Sequence, residues 1–208
     1  MHTALLFSYI GASLLLIFMP GPDNIFVLTE SLSKGWRNGV AVSCGLASGI
    51  IVHTLAAATG LSIIIQQSAL AFSVVKYMGA AYLLFLAYKS AREGRPLIDT
   101  PNGVGGNLRF FALYRKGLLM NVLNPKVALF FIAFFPQFVS PGGFNPIWQM
   151  IVLGAIFMLL TLLVFGLIAI LSGRLTRYLS RPRFWEVTKW SKVAVLAALG
   201  ITLALSRK

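Results

Sequence analysis

Two ionisable residues stand beside prolines inside apolar stretches: Asp23, directly after Pro20-Gly21-Pro22, and Lys126, directly after Asn124-Pro125. A proline at the first position of a helix has no N–H to lose, and the turn behind it presents free backbone N–H groups. Such a helix start attracts anions. Two of them, behind Gly21-Pro22 and behind Asn124-Pro125, could hold a carboxylate, and Lys126 suits the same group. Asp23 suits an ammonium group or a proton. Together these are the two ends of a zwitterionic amino acid. Each residue also has a plainer reading. An acid in the first turn of a helix complements its dipole, and Asn124 reads most simply as an N-cap. Lys126 is harder to explain that way, because a first-turn cation opposes the dipole and is costly at the centre of a bilayer. It needs Asp23, another acid or an anionic ligand to offset it.

Further candidates lie on neighbouring stretches. Ala41, Gly45, Gly49, His53 and Ala57 recur every four residues and make one small helix face, open to close packing within the chain or to homodimerisation. His53 lies deep in that run, where an imidazole could relay protons or bridge two helices by a hydrogen bond. Lys76 sits about two turns from the outer end of its run, suited to snorkelling or to the site. Glu30 falls near the inner interface. Phe130, Phe131, Phe134 and Phe135 read as lipid-facing or packing residues, with a substrate gate as the lesser alternative. The single cysteine, Cys44, excludes an internal disulfide and a Cys-x-x-Cys pair. No oxygen-rich or thiolate cluster suggests a metal, and no cofactor is expected. Ser43 and Ser48 do not share the face of His53 closely, so an intramembrane hydrolase has no motif behind it. The chain reads as no enzyme.

The elements that must position these residues follow from composition. Of 208 residues, 58% are hydrophobic and 11% charged, with a mean hydropathy of +0.83. At roughly 20 apolar residues per crossing, the chain accommodates about six spans as one integral membrane domain over residues 1–208. Long apolar runs cover Leu5 to Leu32, Val40 to Ile65, Ala69 to Tyr88, Gly117 to Val139, Ile147 to Leu171 and Val187 to Leu205. The first lacks a basic leader and a cleavage pattern, and reads as a retained helix. The net charge of +13 would suggest nucleic acid in a soluble protein. Here 14 of the 18 basic residues fall in three alternate loops, the signature of cytoplasmic loops, so no nucleic-acid partner is expected. Both termini then face outward, which leaves Arg207 and Lys208 on the less usual side.

The stretch 90–116, rich in Pro, Gly and charge, reads as a cytoplasmic linker between halves 1–89 and 117–208. Three spans per half force opposite insertion of the second half. The expected fold is therefore all-α: six transmembrane helices in two inverted three-helix repeats, with helices 1 and 4 interrupted by proline. From Lys34 to Asp23 is roughly 16 Å of helix, and from Lys116 to Lys126 about 15 Å. Half a hydrocarbon core is about 15 Å. Both breaks thus fall near the midplane, where interrupted helices mark a transport site. The glycine-rich second run and the breaks at Pro20, Pro22 and Pro125 are where flexing is expected.

In order and spacing these motifs resemble the LysE/RhtB amino-acid exporters over nearly the whole chain. The matching residues are Pro20-Gly21-Pro22-Asp23, Ser33-x-Gly35, Gly39, Gly45-x-x-x-Gly49, Val52-His53, Lys76-x-x-Gly79-Ala80-Ala81-Tyr82-Leu83 and Asn121-x-x-Asn124-Pro125-Lys126. The resemblance implies a small secondary exporter of the bacterial cytoplasmic membrane, moving amino acids or analogues outward by proton antiport. It places site positions on Pro20, Gly21, Pro22, Asp23, His53, Lys76, Asn124, Pro125 and Lys126. Many members carry an acid directly after the second glycine of span two, where this chain has Ile50. That favours neutral substrates of the threonine, homoserine or leucine type over cationic ones. An exporter of another small metabolite or cation, or a passive channel, is the alternative; saturable, proton-coupled flux separates a carrier from a pore.

Overall fold

The computed structural model describes residues 3–19, 21–61, 69–92, 94, 110–140, 143–179 and 182–205. Among these the regular structure is all helix, with no strand. Helix α1 spans Thr3–Phe18, α2 Pro22–Lys34, α3 Trp36–Ala56 and α4 Ala69–Arg92. In the second half, α5 spans Phe110–Val122, α6 Pro125–Leu129, α7 Pro146–Leu179 and α8 Pro182–Leu205. A π-helical turn, Ala57–Leu61, prolongs α3; another, Phe130–Phe134, prolongs α6 and passes into a 3-10 turn, Phe135–Phe138.

Sequence chemistry sets the ends of these helices. Pro22 and Pro125 each occupy the first turn of the helix they open, where a missing N–H costs nothing. Gly21 before α2 is extended, whereas Asn124 caps α6 with its side chain, accepting from the Lys126 backbone N–H at 3.0 Å. The α2–α3 corner turns on Gly35, whose φ of 91° favours a residue without Cβ. Across the two breaks the chain bends by 58° between α1 and α2, and by 48° between α5 and the segment Pro125–Phe138. Pro20 itself lies outside the described residues.

Among the described residues, three helical stretches are long and apolar enough to cross a membrane: Trp36–Gly60, Pro146–Arg174 and Trp185–Leu205. Counting each bent pair as one span raises this to five. The second-half break therefore follows a helix that starts at Phe110, before the expected start at Gly117. Likewise α7, with 34 residues, reaches about 51 Å and continues past Leu171 through Arg174 and Arg177. Those arginines lie on a helix end and not in a loop, since no proline or β-turn signal interrupts the run before Ser180.

Two packing choices position the interior. Helix α3 is central: 61% of its most apolar window is buried, against 22% for that of α8. It packs on α5 and α7, while α4 packs on α8. The α3–α5 contact is backbone on backbone. A Cβ on Gly45 would run into the carbonyl oxygen of Tyr114, and one on Gly117 into that of Val42. The Gly45-x-x-x-Gly49 face thus serves contact within the chain, with Gly49 against the Asn121 side chain. Phe130, Phe131, Phe134 and Phe135 are buried in the core with Tyr9 and Phe157, which replaces the lipid-facing reading of these phenylalanines. The π-helical turn rotates successive aromatics inward, so a run of adjacent rings shares one interior. Large apolar side chains such as Phe7, Leu15, Ile51, Leu163 and Leu167 remain on the outside, as a lipid-facing surface requires.

Candidate functional site

The two breaks meet inside the bundle. Asn124 donates its side-chain N–H to Asp23 Oδ2 at 2.5 Å, across 101 residues of sequence. Its own oxygen caps the Lys126 N–H, so one amide joins the acid of α2 to the first turn of α6. The Lys126 ammonium donates to the carbonyls of Leu16, at 3.2 Å, and Met19, at 3.3 Å. These are the last carbonyls of α1, the negative end of its dipole. The offset that the sequence demands for a buried lysine thus comes from a helix C-terminus. Asp23 and Lys126 form no direct ion pair, whereas Glu30 and Lys34 do, at 3.2 Å near the expected inner boundary.

Between the breaks lies a small cavity of about 10 Å³, room for a single water-sized group. Its polar lining is Asp23, Asn121, Lys126 and Thr161. Its apolar lining is Leu16 and Ile17 from α1, Val127 from α6, and Phe157 and Phe165 from α7. All four polar residues are buried, and Asp23 Oδ1, Asn121 Oδ1 and Thr161 Oγ1 have no hydrogen-bond partner. Gly21 lies against the lysine: a Cβ there would stand 3.6 Å from Nζ. Pro22 is exposed and serves as the helix start.

Two expected site residues lie elsewhere. His53 is buried behind the cavity wall, its Nε2 at 3.2 Å from the carbonyl of Asn121 and its ring stacked on Phe131. A carbonyl only accepts, so Nε2 carries the proton in this contact. The same carbonyl accepts the Asn124 N–H at 2.9 Å, so His53 braces the second break. Lys76 is absent from the cavity lining and holds its ammonium over the Tyr77 ring at 4.5 Å. Conversely, Thr161 and the phenylalanines beside it come from α7, whose long apolar run gives little sign of a site. The signal that could have found them is spacing: Phe157, Thr161 and Phe165 recur every four residues and line one helix face.

The family model for the LysE type translocator matches residues 14–207. The chain belongs to that family. As a LysE-family translocator it is a membrane transporter and not an enzyme. The chain is 32% identical to the uncharacterized membrane protein YrhP of Bacillus subtilis (strain 168), over 99% of this chain and the whole of that one. It is 32% identical to an uncharacterized membrane protein of Vibrio cholerae, over 96% of each chain. Identity is 29% to the homoserine/homoserine lactone efflux protein of Salmonella typhimurium, over 97% of this translocator and 96% of that protein. No solved structure matches.

Proposed function

We propose that this translocator exports a neutral amino acid or a close analogue from the cytoplasm in exchange for protons, using the pocket between its two helix breaks. The observation that carries the reading is one amide, Asn124, joining a buried carboxylate to the helix start that bears a buried ammonium. A zwitterion offers the complementary charges, its ammonium to Asp23 and its carboxylate to Lys126; the first-turn N–H groups of α6 are already taken by Asn124. Asp23 keeps one carboxylate oxygen without a partner, which suits it to take the proton when the substrate leaves. The apolar remainder of the lining and the Ile50 position favour a neutral side chain. Efflux of homoserine or its lactone, named for the Salmonella relative, falls within that class.

In this reading α4 completes six crossings of the inner membrane, with basic helix ends inside and both termini outside. Each half consists of a broken helix and two long ones. The corresponding helices of the halves pack on each other, α3 on α7 and α4 on α8, the pairing that a two-fold axis in the membrane plane produces. The cavity is too small for an amino acid, so it represents a closed stage of an alternating cycle.

The test is flux of labelled neutral amino acids, homoserine included, in sealed vesicles with an imposed pH gradient. Saturable, gradient-driven flux is expected, and Asp23→Asn and Lys126→Met should each abolish it in protein that remains folded. Full transport by both variants would overturn the mechanism.

A further inference from the structure

The wall contributed by α7 carries an inference that rests on the reading just given and deepens it. Hydroxyls on the helices of this bundle have a habitual partner. Ser31 donates to Val27 O, Ser43 to Gly39 O, Ser48 to Cys44 O and Thr59 to Leu55 O, each four residues back on its own helix. That back-bond is the usual way to satisfy a helical hydroxyl away from water. Thr161 does not make it. Its Oγ1 is buried and unpartnered, and the residue is 1% exposed. Ser13, Ser33 and Thr54 also carry unpartnered hydroxyls, but Thr161 is the one that shares a cavity with a buried carboxylate and a buried amine. Asp23 lines that cavity from α2 and likewise has one unpartnered oxygen, Oδ1.

A buried, unsatisfied oxygen is costly, and residues lining this one cavity carry three, the third being Asn121 Oδ1 on the side of Gly49; such a cluster is retained where something supplies hydrogen-bond partners. The Asp23 and Thr161 oxygens can both accept, and the lysine beside them has already given two of its three N–H donors to Leu16 O and Met19 O. We infer that Thr161 and Asp23 together form the subsite for the substrate's α-ammonium group, with Thr161 a substrate-binding residue. An ammonium carries three N–H donors, one for each of these oxygens and one to spare. Phe157 and Phe165, one turn to either side of Thr161 on the same face, then bound the space for the substrate side chain. The recognised class is a primary α-amino acid with a compact neutral side chain. An N-terminally blocked compound or a 2-hydroxy acid offers one donor in place of three, and no positive charge.

The test uses the full-length protein in proteoliposomes, with counterflow of the neutral L-amino acids. For the best-transported one, its 2-hydroxy acid analogue is measured in parallel. Thr161→Val keeps the shape of the side chain and removes the hydroxyl, whereas Thr161→Ser keeps the hydroxyl. Thr161→Val is expected to lower kcat/KM for the amino acid roughly tenfold. It should lower that for the hydroxy acid much less, so that the preference for ammonium over hydroxyl shrinks; Thr161→Ser should keep the preference. This preference is a ratio and does not depend on how much variant protein folds. An unchanged ratio in Thr161→Val would mean that the hydroxyl meets only an enclosed water, and the inference would fall. If transport by Asp23→Asn is abolished while that ratio stays unchanged, the site reading survives and only the subsite is lost. If Asp23→Asn transports normally, or the wild-type protein moves none of the amino acids, both are overturned.

Discussion

An ammonium group held by two carbonyl oxygens at the end of a helix is attracted by the charge of that whole helix end. Lys126 is therefore a tie between α1 and α6 as well as a charge in the site. Lys126→Met leaves the carbonyls of Leu16 and Met19 without that donor, and should destabilise the protein by about 1–3 kcal/mol. Thermal unfolding of the purified protein in detergent checks this, with a lowered midpoint expected beside the loss of transport. Asn124→Ala removes both the α6 cap and the donor to Asp23, and the cap alone is worth about 1 kcal/mol. At this scale the sequence is eloquent about Asp23, Asn124 and Lys126, because ionisable groups next to prolines contradict their surroundings. It is silent about Thr161, since one hydroxyl in a leucine-rich helix contradicts nothing until its missing back-bond is seen.

Helices turn these residues into a site by controlled close approach. Gly45→Ala drives a Cβ into the Tyr114 carbonyl, a backbone atom that cannot swing away, so the α3–α5 contact must open. A loss of about 1–3 kcal/mol is expected. On α7, by contrast, a methyl group added at Gly166 would meet nothing within 4 Å, so Gly166→Ala should be neutral or stabilising by about 0.5–1 kcal/mol. Paired melting curves of the two variants decide the matter. Phe165→Ala should widen the substrate range towards bulkier side chains, read by competition in the counterflow assay. The period-four glycines were legible in the sequence, but not their partner. Nothing in one chain distinguishes an intrachain glycine face from an intersubunit one until α5 is seen lying on it. The aromatic run 130–135 was similarly ambiguous, because only the π-helical turn brings adjacent rings into one core.

The molecule as a whole is closed around its site. Beyond the cavity, on the side of Thr3, Tyr9 packs on Phe130, Phe135 and Phe138 and donates its hydroxyl to Leu153 O at 2.8 Å, fastening α1 to α7. Tyr9→Phe removes that hydrogen bond, worth about 1 kcal/mol, and should favour opening on the side of Thr3 by roughly fivefold. Accessibility of a cysteine introduced at Leu16 to a thiol reagent, in a Cys44→Ser background, reports the change. The two helix breaks and the all-helical class were readable from prolines and hydropathy alone. The reach of α5 and α7 beyond their apolar runs was not, because charged residues at helix ends resemble loop residues in composition.

The glycine crossing of α3 and α5 has a mechanical consequence. Interlocked side chains resist both separation and rotation, whereas two bare backbones in contact fix a distance and leave the angle free. In the alternating cycle proposed above, the crossing at Gly45 and Gly117 would serve as a fulcrum, and the packing of Gly49 on Asn121 and the bond of His53 to Asn121 O would have to yield for the arms on either side to swing. Spin labels bracketing it should keep their separation throughout the cycle, while pairs at the two ends of these helices lengthen and shorten in counterphase.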